Sequence, residues 1–137
     1  MTDNKYRILL VDDDNSLLRL LSMRLTAAGY DVTAVESGEE ALAQLPLLQP
    51  SLIITDLQME GMDGMTLFNQ VHSRNPTLPV LILTARGEES DKVLGFRLGA
   101  DDYVTKPFGV REVIARIRAV LRRGSAEPGS SALAISR

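Results

Sequence analysis

Acidic, hydroxyl and ammonium side chains stand at the ends of four separate apolar runs in this chain. In chain order they are Asp12, Asp13 and Asp14 after the first run, Asp56 after the third, Thr84 after the fourth and Lys106 after the fifth. If these runs are parallel strands of one sheet, their carboxyl ends meet at one edge, where ligands bind. The sequence therefore predicts that four distant segments supply one site.

The chemistry of such a site follows from the charges of its side chains. Carboxylates within a few ångströms of one another raise each other's pKa unless a cation compensates. Mg²⁺ suits this role, because it binds few carboxylates and keeps places for water and phosphate oxygens. Asp56 is then a competent nucleophile for phosphorus, with Lys106 and the metal neutralising the phosphoryl oxygens. The Thr84 hydroxyl could donate a hydrogen bond to the bound phosphoryl group.

Simpler interpretations exist for several of these residues. Asp14 alone is more simply a cap for the following helix. Asp12 and Asp13 could only solvate a loop, although their predicted convergence with Asp56 argues against this interpretation. A Lys-Pro pair such as the one at Lys106 usually marks no more than a turn.

The elements that would position these side chains alternate between short apolar runs and longer amphipathic ones, a pattern typical of βα repeats with a parallel sheet. Strands are predicted over residues 6–11, 30–35, 52–55, 79–83 and 102–105. Helices are predicted over residues 14–28, 37–45, 65–74, 88–98 and 110–123. The fold class is therefore α/β, with five βα units.

Composition narrows the class of protein. A chain of 137 residues suits one domain, and its net charge of −3 gives no basic stripe for nucleic acid. Cysteine is absent, so disulfides and thiol chemistry are excluded. The polar N-terminus lacks the apolar core of a signal peptide, and no apolar run approaches a membrane span of about 18 residues. We expect a cytoplasmic domain over 1–123 and a flexible Gly/Ser/Pro-rich linker over 124–137, with no direct contact to nucleic acid or membrane.

Four segments of the chain resemble a known family. They are LLVDDD, IITDLQMEGMDGM, LILTARG and GADDYVTKPF. Together they are similar to the receiver domains of response regulators in bacterial two-component systems, and the resemblance extends from Tyr6 to about Arg123. It implies a doubly wound, flavodoxin-like (CheY-like) fold with the strand order 2-1-3-4-5.

The resemblance also implies a metal site and a site of modification. Asp56 would be the phosphoacceptor, converted to 4-aspartylphosphate by a sensor histidine kinase. Asp12, Asp13 and Asp56 would hold Mg²⁺ together with the backbone carbonyl of Gln58. The resemblance therefore implies a signalling switch that promotes its own phosphorylation and slow dephosphorylation, rather than an enzyme that acts on an external substrate.

Three further residues have roles in the family. Lys106 would bind the phosphoryl group, and its bond to Pro107 would be cis. Thr84 and Tyr103 would form a switch pair that remodels the surface of the fourth helix, the fifth strand and the last helix. An alternative for Tyr103 is a half-buried aromatic residue of an edge strand, and the two interpretations are compatible.

The second half of the chain is similar to receivers attached to winged-helix DNA-binding domains, and the first half to receivers of ATPase-type transcription activators. The winged-helix group forms homodimers, and two charged pairs of that kind are Lys92 with Glu112 and Asp102 with Arg116. Arg97 departs from the pattern, because it stands where an acid would face Arg118 and two like charges repel. Solvated helix faces are an alternative explanation of these charges. The expected output is transcription.

Three other functions would each require a different set of residues at this site. A haloacid-dehalogenase-type phosphohydrolase would need an acid at Gln58. A flavin-binding module would need a phosphate-cradling loop after the first strand, where three aspartates would repel phosphate. An interaction domain with an inactive pocket would not need the full set of acids, Thr84 and Lys106.

Overall fold

The structure is a computed structural model that describes residues 6–85 and 102–124. In chain order its elements are β1 (Arg7–Val11), α1 (Asn15–Ala27), β2 (Asp31–Val35), α2 (Gly38–Leu48), β3 (Leu52–Asp56), α3 (Gly64–Arg74), β4 (Val80–Ala85), β5 (Asp102–Lys106) and α4 (Val110–Gly124). The helix predicted over 88–98 lies outside the described residues. Among the helices in the described ranges, none is both long and apolar enough to cross a bilayer.

The five strands form one parallel sheet in the order β2-β1-β3-β4-β5. The central strand β3 is buried along its whole length, as expected for a parallel strand covered on both faces. The edge strand β2 is only partly buried. This arrangement confirms the predicted doubly wound α/β fold, so the carboxyl ends of all five strands lie at one edge of the sheet.

Two apolar clusters cover the faces of the sheet. Successive side chains of β1 point to opposite faces, so Ile8 and Leu10 join one cluster while Leu9 and Val11 join the other. The first cluster includes buried residues of α1 and α4, and the second includes buried residues of α2 and α3. The strands that carry the predicted site are therefore fixed by packing on both sides.

Most predicted boundaries agree with the structure to within two residues, and the exception is the end of α2. The helix was expected to end near Leu45 but continues through Pro46 to Leu48. Leu48 packs against the second cluster, and the helix ends where Gln49 adopts the left-handed conformation, with φ of 50°. Tertiary packing therefore outweighs the missing hydrogen-bond donor of the proline.

Side-chain caps fix where α1 and α2 begin. The Asp14 carboxylate accepts hydrogen bonds from the backbone amides of Ser16 and Leu17, at 3.0 and 3.2 Å. The Ser37 hydroxyl accepts one from the backbone amide of Glu40 at 3.1 Å. Asp14 therefore acts as a helix cap, which was the simpler of its two interpretations.

Gly64, the first residue of α3, lies against the end of β3. A Cβ atom at this position would overlap the Asp56 carbonyl oxygen and lie 2.7 Å from the Leu57 Cα atom. The Gly64 backbone amide also donates to the Leu57 carbonyl at 2.8 Å. Only glycine allows this approach, which holds the loop of residues 57–63 beside the carboxyl edge of the sheet.

We expect Gly64→Ala to destabilise the protein by about 1–3 kcal/mol, because the added methyl group must displace the backbone at Asp56. Urea denaturation of the metal-free protein measures this change. Gly109→Ala is the matched control, since a Cβ there meets nothing within 4 Å. Equal stability of the two variants would show that the close approach of α3 to β3 does not constrain the fold.

Candidate functional site

Three carboxylates meet at the carboxyl edge of the sheet. Asp12 and Asp13 follow β1, and Asp56 is the last residue of β3, the strand paired beside β1. One oxygen from each carboxylate lies within 4.8 Å of the others. Asp12 is fully buried, Asp56 is 7% exposed and Asp13 is exposed. The structure thus brings these three sequence-predicted residues into one cluster.

Lys106 supplies a positive charge to this cluster. Its Nζ atom lies 3.2 Å from Asp56 Oδ2 and 3.3 Å from Asp12 Oδ2. Lys106 is the last residue of β5, which is separated from β3 by β4. Its half-buried side chain extends from the end of β5 to the two carboxylates. The bond from Lys106 to Pro107 is cis, as the resemblance implied.

A backbone amide donates to one oxygen of each of the three carboxylates. The amide of Asp14 donates to Asp12 Oδ1 at 3.0 Å, and that of Gln58 donates to Asp56 Oδ1 at 3.3 Å. The amide of Glu60 donates to Asp13 Oδ2 at 3.1 Å. Each carboxylate is therefore oriented by the chain that follows β1 or β3.

Burial and the nearby charges shift the pKa values of Asp12, Asp56 and Lys106 in the same direction. Burial raises the pKa of both Asp12 and Asp56 above the ordinary value, and this effect exceeds the opposing effect of Lys106. Burial acts to lower the pKa of Lys106, but the attraction of Asp56 and Asp12 outweighs it and the pKa is raised. One ammonium shared between two buried carboxylates leaves neither fully neutralised.

This donor set fits a divalent cation with hard oxygen ligands. Asp12, Asp13 and Asp56 offer one oxygen each within a small volume, and a cation there would offset their charge. Asp13 and Gln58 also line a neighbouring cleft of about 500 Å³. Mg²⁺, which keeps several waters, is compatible with this arrangement.

The predicted switch residues belong to β4 and β5. Thr84 is in β4, where its backbone pairs in register with Thr105, the residue before Lys106. Tyr103 is half-buried and packs against the second apolar cluster. Its position on β5 therefore agrees with the alternative of a half-buried aromatic residue, and the switch role remains a prediction.

The residues of the predicted dimer surface fall into two groups. Asp102 and Arg116 form an ion pair within one chain, with Nη1 3.0 Å from Oδ2, and this hydrogen bond raises the pKa of Arg116. Glu112 Oε2 lies 3.8 Å from Arg116 Nη2. Lys92 and Arg97 lie outside the described residues.

The backbone of Glu60 is one part of the site that the sequence analysis missed. Its side chain carries no signal for this role, because the group that reaches Asp13 is the main-chain amide. Only the path of the loop after β3 brings that amide to the end of β1. A sequence pattern of side-chain types could not reveal it.

Comparisons with known proteins show the family and agree with the fold. The family model described as the response regulator receiver domain matches residues 8–118. The alkaline phosphatase synthesis transcriptional regulatory protein PhoP of Bacillus subtilis is 46% identical over 125 residues, which are 91% of this chain and 52% of that protein. The transcriptional regulatory protein ResD of the same organism is 43% identical over 122 residues, 89% of this chain and 50% of that protein. The chain spans about half the length of these relatives.

Solved structures show the same architecture. The receiver domain of the Francisella response regulator 1452 superposes with a TM-score of 0.81 and 31% identity, covering 87% of this chain and 98% of that chain. NtrX from Brucella abortus superposes with a TM-score of 0.88 and 27% identity, covering 94% of this chain and 29% of that chain. The match to NtrX is therefore confined to a part of a longer protein.

In the absence of divalent cations, we expect Asp56→Asn to be more stable than the wild type at pH 7. The raised pKa of Asp56 means that the folded state holds this proton more tightly than the unfolded chain does. Its ionisation therefore lowers the stability of the wild type as the pH rises through the folded-state pKa. Thermal denaturation in EDTA between pH 4 and 8 measures the difference, which should narrow toward pH 4.

Proposed function

The chain belongs to the response regulator receiver domain family, and we propose that it is a phosphorylation switch in which Asp56 accepts a phosphoryl group from a sensor histidine kinase. The observation that supports this role most directly is the meeting of Asp56 with Asp12, Asp13 and Lys106. A reactive carboxylate, an acidic cation site and an ammonium are the parts that phosphoryl transfer to an aspartate requires.

In the proposed step, a carboxylate oxygen of Asp56 attacks the phosphorus of a phosphohistidine. The bond from phosphorus to the histidine nitrogen breaks as the new bond from phosphorus to oxygen forms. Lys106 Nζ, 3.2 Å from Asp56 Oδ2, is close enough to bind a phosphoryl oxygen and offset its charge. The Gln58 amide, which donates to Asp56 Oδ1, holds the carboxylate in place.

We propose that Asp12, Asp13 and Asp56, with the Gln58 carbonyl, hold Mg²⁺. When bound, the ion neutralises charge on the carboxylates and on the phosphoryl oxygens. The cluster of carboxylate oxygens within 4.8 Å supports this assignment. Burial raises the pKa of Asp12 and of Asp56 although Lys106 acts to lower both, and a bound cation would favour their charged forms as well.

Phosphorylation would act on a surface that is connected to the site by β5. The phosphoryl group adds nearly two negative charges, and the hydroxyl of Thr84 would bind it. We propose that Thr84 and Tyr103 then change position together and alter the surface formed by β5, α4 and the chain between β4 and β5. The equilibrium between two states of this surface would be the signal.

The output of the switch is proposed from the relatives. Two of them are transcriptional regulatory proteins about twice as long as this chain. We propose that this cytoplasmic receiver controls transcription through a domain outside the present sequence and contacts neither DNA nor membrane itself. Homodimerisation through Lys92, Asp102, Glu112 and Arg116 is a further part of the proposal, and it requires the Asp102–Arg116 bond to be shared or exchanged between protomers.

We expect one labile phosphoryl group per chain when the protein is incubated with acetyl phosphate and MgCl₂, and its slow loss afterwards. Intact-protein mass spectrometry measures both the gain and the loss. Asp56→Asn should abolish labelling, because the amide cannot attack phosphorus. Asp63→Asn is the matched control, since Asp63 lies in the same loop and caps α3 through a bond to the Thr66 amide, a role that asparagine also fills.

Labelling that persists in Asp56→Asn would assign the nucleophile to another residue. Rapid turnover of unrelated phosphate esters by the wild type would instead favour a phosphohydrolase. Failure of the wild type to take any phosphoryl group would favour an interaction domain with an inactive pocket.

Lys106→Met should have opposite effects on metal binding and on phosphorylation. Removing a charge next to the acidic cluster should strengthen Mg²⁺ binding roughly tenfold, because the repulsion between ammonium and cation disappears. The rate of labelling by acetyl phosphate should fall by roughly 100-fold, because a donor to the phosphoryl oxygens is lost. Calorimetry with MgCl₂ and mass spectrometry measure the two effects. Arg111→Met makes the same charge change at an exposed position, so a similar result there would mean that only net charge matters.

A further inference from the structure

Methionine is the only type of residue in this chain that carries sulfur, because cysteine is absent. Three of the five methionines, Met59, Met62 and Met65, fall within the loop after β3 and the first turn of α3. A peroxide converts a thioether to a sulfoxide, and the polar sulfoxide disrupts apolar packing. The structural consequence of that reaction therefore depends on what each side chain contacts.

The methionines differ in their exposure to an oxidant. Met59 is 8% exposed and belongs to the second apolar cluster. Met62 and Met65 are only partly buried, so a small oxidant can approach both. Met65 lines the cleft of about 500 Å³ beside Asp13, and Met23 on α1 is 60% exposed. An oxygen added to Met65 or to Met23 therefore has room beside the side chain.

Met62 lies in a closer contact, against the start of α2. A Cβ atom added to Gly38, the first residue of that helix, would lie 2.8 Å from Met62 Sδ and 3.1 Å from its Cβ and Cγ atoms. Gly38 is buried, and Met62 also packs against the second apolar cluster. An oxygen on this sulfur has no space on the side of Gly38. Any arrangement that keeps the contact would place a polar group in apolar surroundings, which is unfavourable.

A second contact joins the same loop to α2. A Cβ atom added to Gly61 would lie 3.4 Å from Glu39 Oε2, so the Glu39 side chain lies over the Gly61 backbone. Glu39 is exposed, and its long side chain can move away without loss of buried apolar area. Met62 therefore supplies the apolar part of the contact between this loop and α2.

We propose that Met62 is an oxidant-sensitive modification site, at which hydrogen peroxide forms a sulfoxide that separates the loop of residues 57–63 from the start of α2. The sulfur lone pair attacks one peroxide oxygen, the O–O bond breaks, and the other oxygen leaves as water after taking the proton of the first. The sulfur is oxidised by two electrons and the peroxide is reduced by two. Methionine sulfoxide reductases reverse this reaction, so the contact can act as a redox switch.

This inference goes beyond the proposed function, since it involves neither a phosphoryl group nor a metal ion. Treatment of the wild type with hydrogen peroxide in EDTA should lower the midpoint of thermal unfolding by about 4 °C, because an apolar contact is lost. Methionine sulfoxide reductase should restore the midpoint. Tandem mass spectrometry of proteolytic fragments identifies which methionines carry the added oxygen.

Met62→Leu tests whether this one sulfur is responsible. Leucine has a similar volume and no thioether, so the variant should fold with nearly wild-type stability and lose most of its response to peroxide. Met65→Leu is the matched control, because it removes a neighbouring sulfur that faces the open cleft, and it should respond as the wild type does. An equal response of Met62→Leu and the wild type would overturn the proposal. So would an unchanged midpoint in wild-type protein whose Met62 is fully oxidised.

The order of oxidation gives a second test that does not depend on stability. Release of the loop should expose Met59, so in the wild type Met59 should be oxidised after Met62. In Met62→Leu the oxidation of Met59 should be severalfold slower than in Met65→Leu. Oxidation of Met59 at the same rate in both variants would show that Met62 does not hold the loop.

Met62→Gln imitates the sulfoxide without any oxidant, because the amide is a polar group of similar length. We expect it to lower the unfolding midpoint about as much as peroxide does, whereas Met65→Gln should change it by no more than about 2 °C. Thermal denaturation in EDTA measures both variants. A Met62→Gln variant as stable as the wild type would show that this contact tolerates a polar group, and the proposal would be wrong.

Discussion

The incomplete compensation of buried negative charge is the interaction on which the site depends. Asp12 and Asp56 are removed from water at the end of two adjacent strands, and Lys106 is shared between them. Such an arrangement is costly for a metal-free protein, because each carboxylate remains less favourable in its charged form than it would be in water. In the proposed function, this arrangement would favour binding of a divalent cation, whose positive charge would in turn attract an anionic phosphoryl group.

The rest of the fold makes this unfavourable arrangement possible. Strands β1 and β3 are held between two apolar clusters, so the carboxylates at their ends cannot move apart to relieve their repulsion. Lys106 approaches on the end of another strand of the same sheet. Gly64 brings α3 against the backbone of Asp56, and the loop between them supplies amides to Asp56 and Asp13. Backbone donors hold a carboxylate without adding a second positive side chain that would compete with the cation.

The same arrangement connects the site to a surface. β5 carries Lys106 at one end and Asp102 at the other, and Asp102 is bonded to Arg116 of α4. Tyr103 lies between them and packs against the second apolar cluster. A change of charge at Asp56, which contacts Lys106, therefore affects the same short strand that carries Asp102 and its ion pair with Arg116. In the proposed function, this strand would be the route by which a local change of charge alters the surface.

The sequence by itself determined the order of the elements, the strand ends that carry Asp12, Asp13, Asp56 and Lys106, and the family, because apolar periodicity and the types of polar side chain are written in the chain. It placed the end of α2 too early, since Pro46 is a strong local signal and the packing of Leu48 is not a local property. Only the tertiary structure decided that one lysine is shared by two carboxylates, and that the amide of Glu60 reaches Asp13. The physical reason is that every residue has the same backbone donor, so the partner of that donor depends on the path of the chain in space and not on residue type.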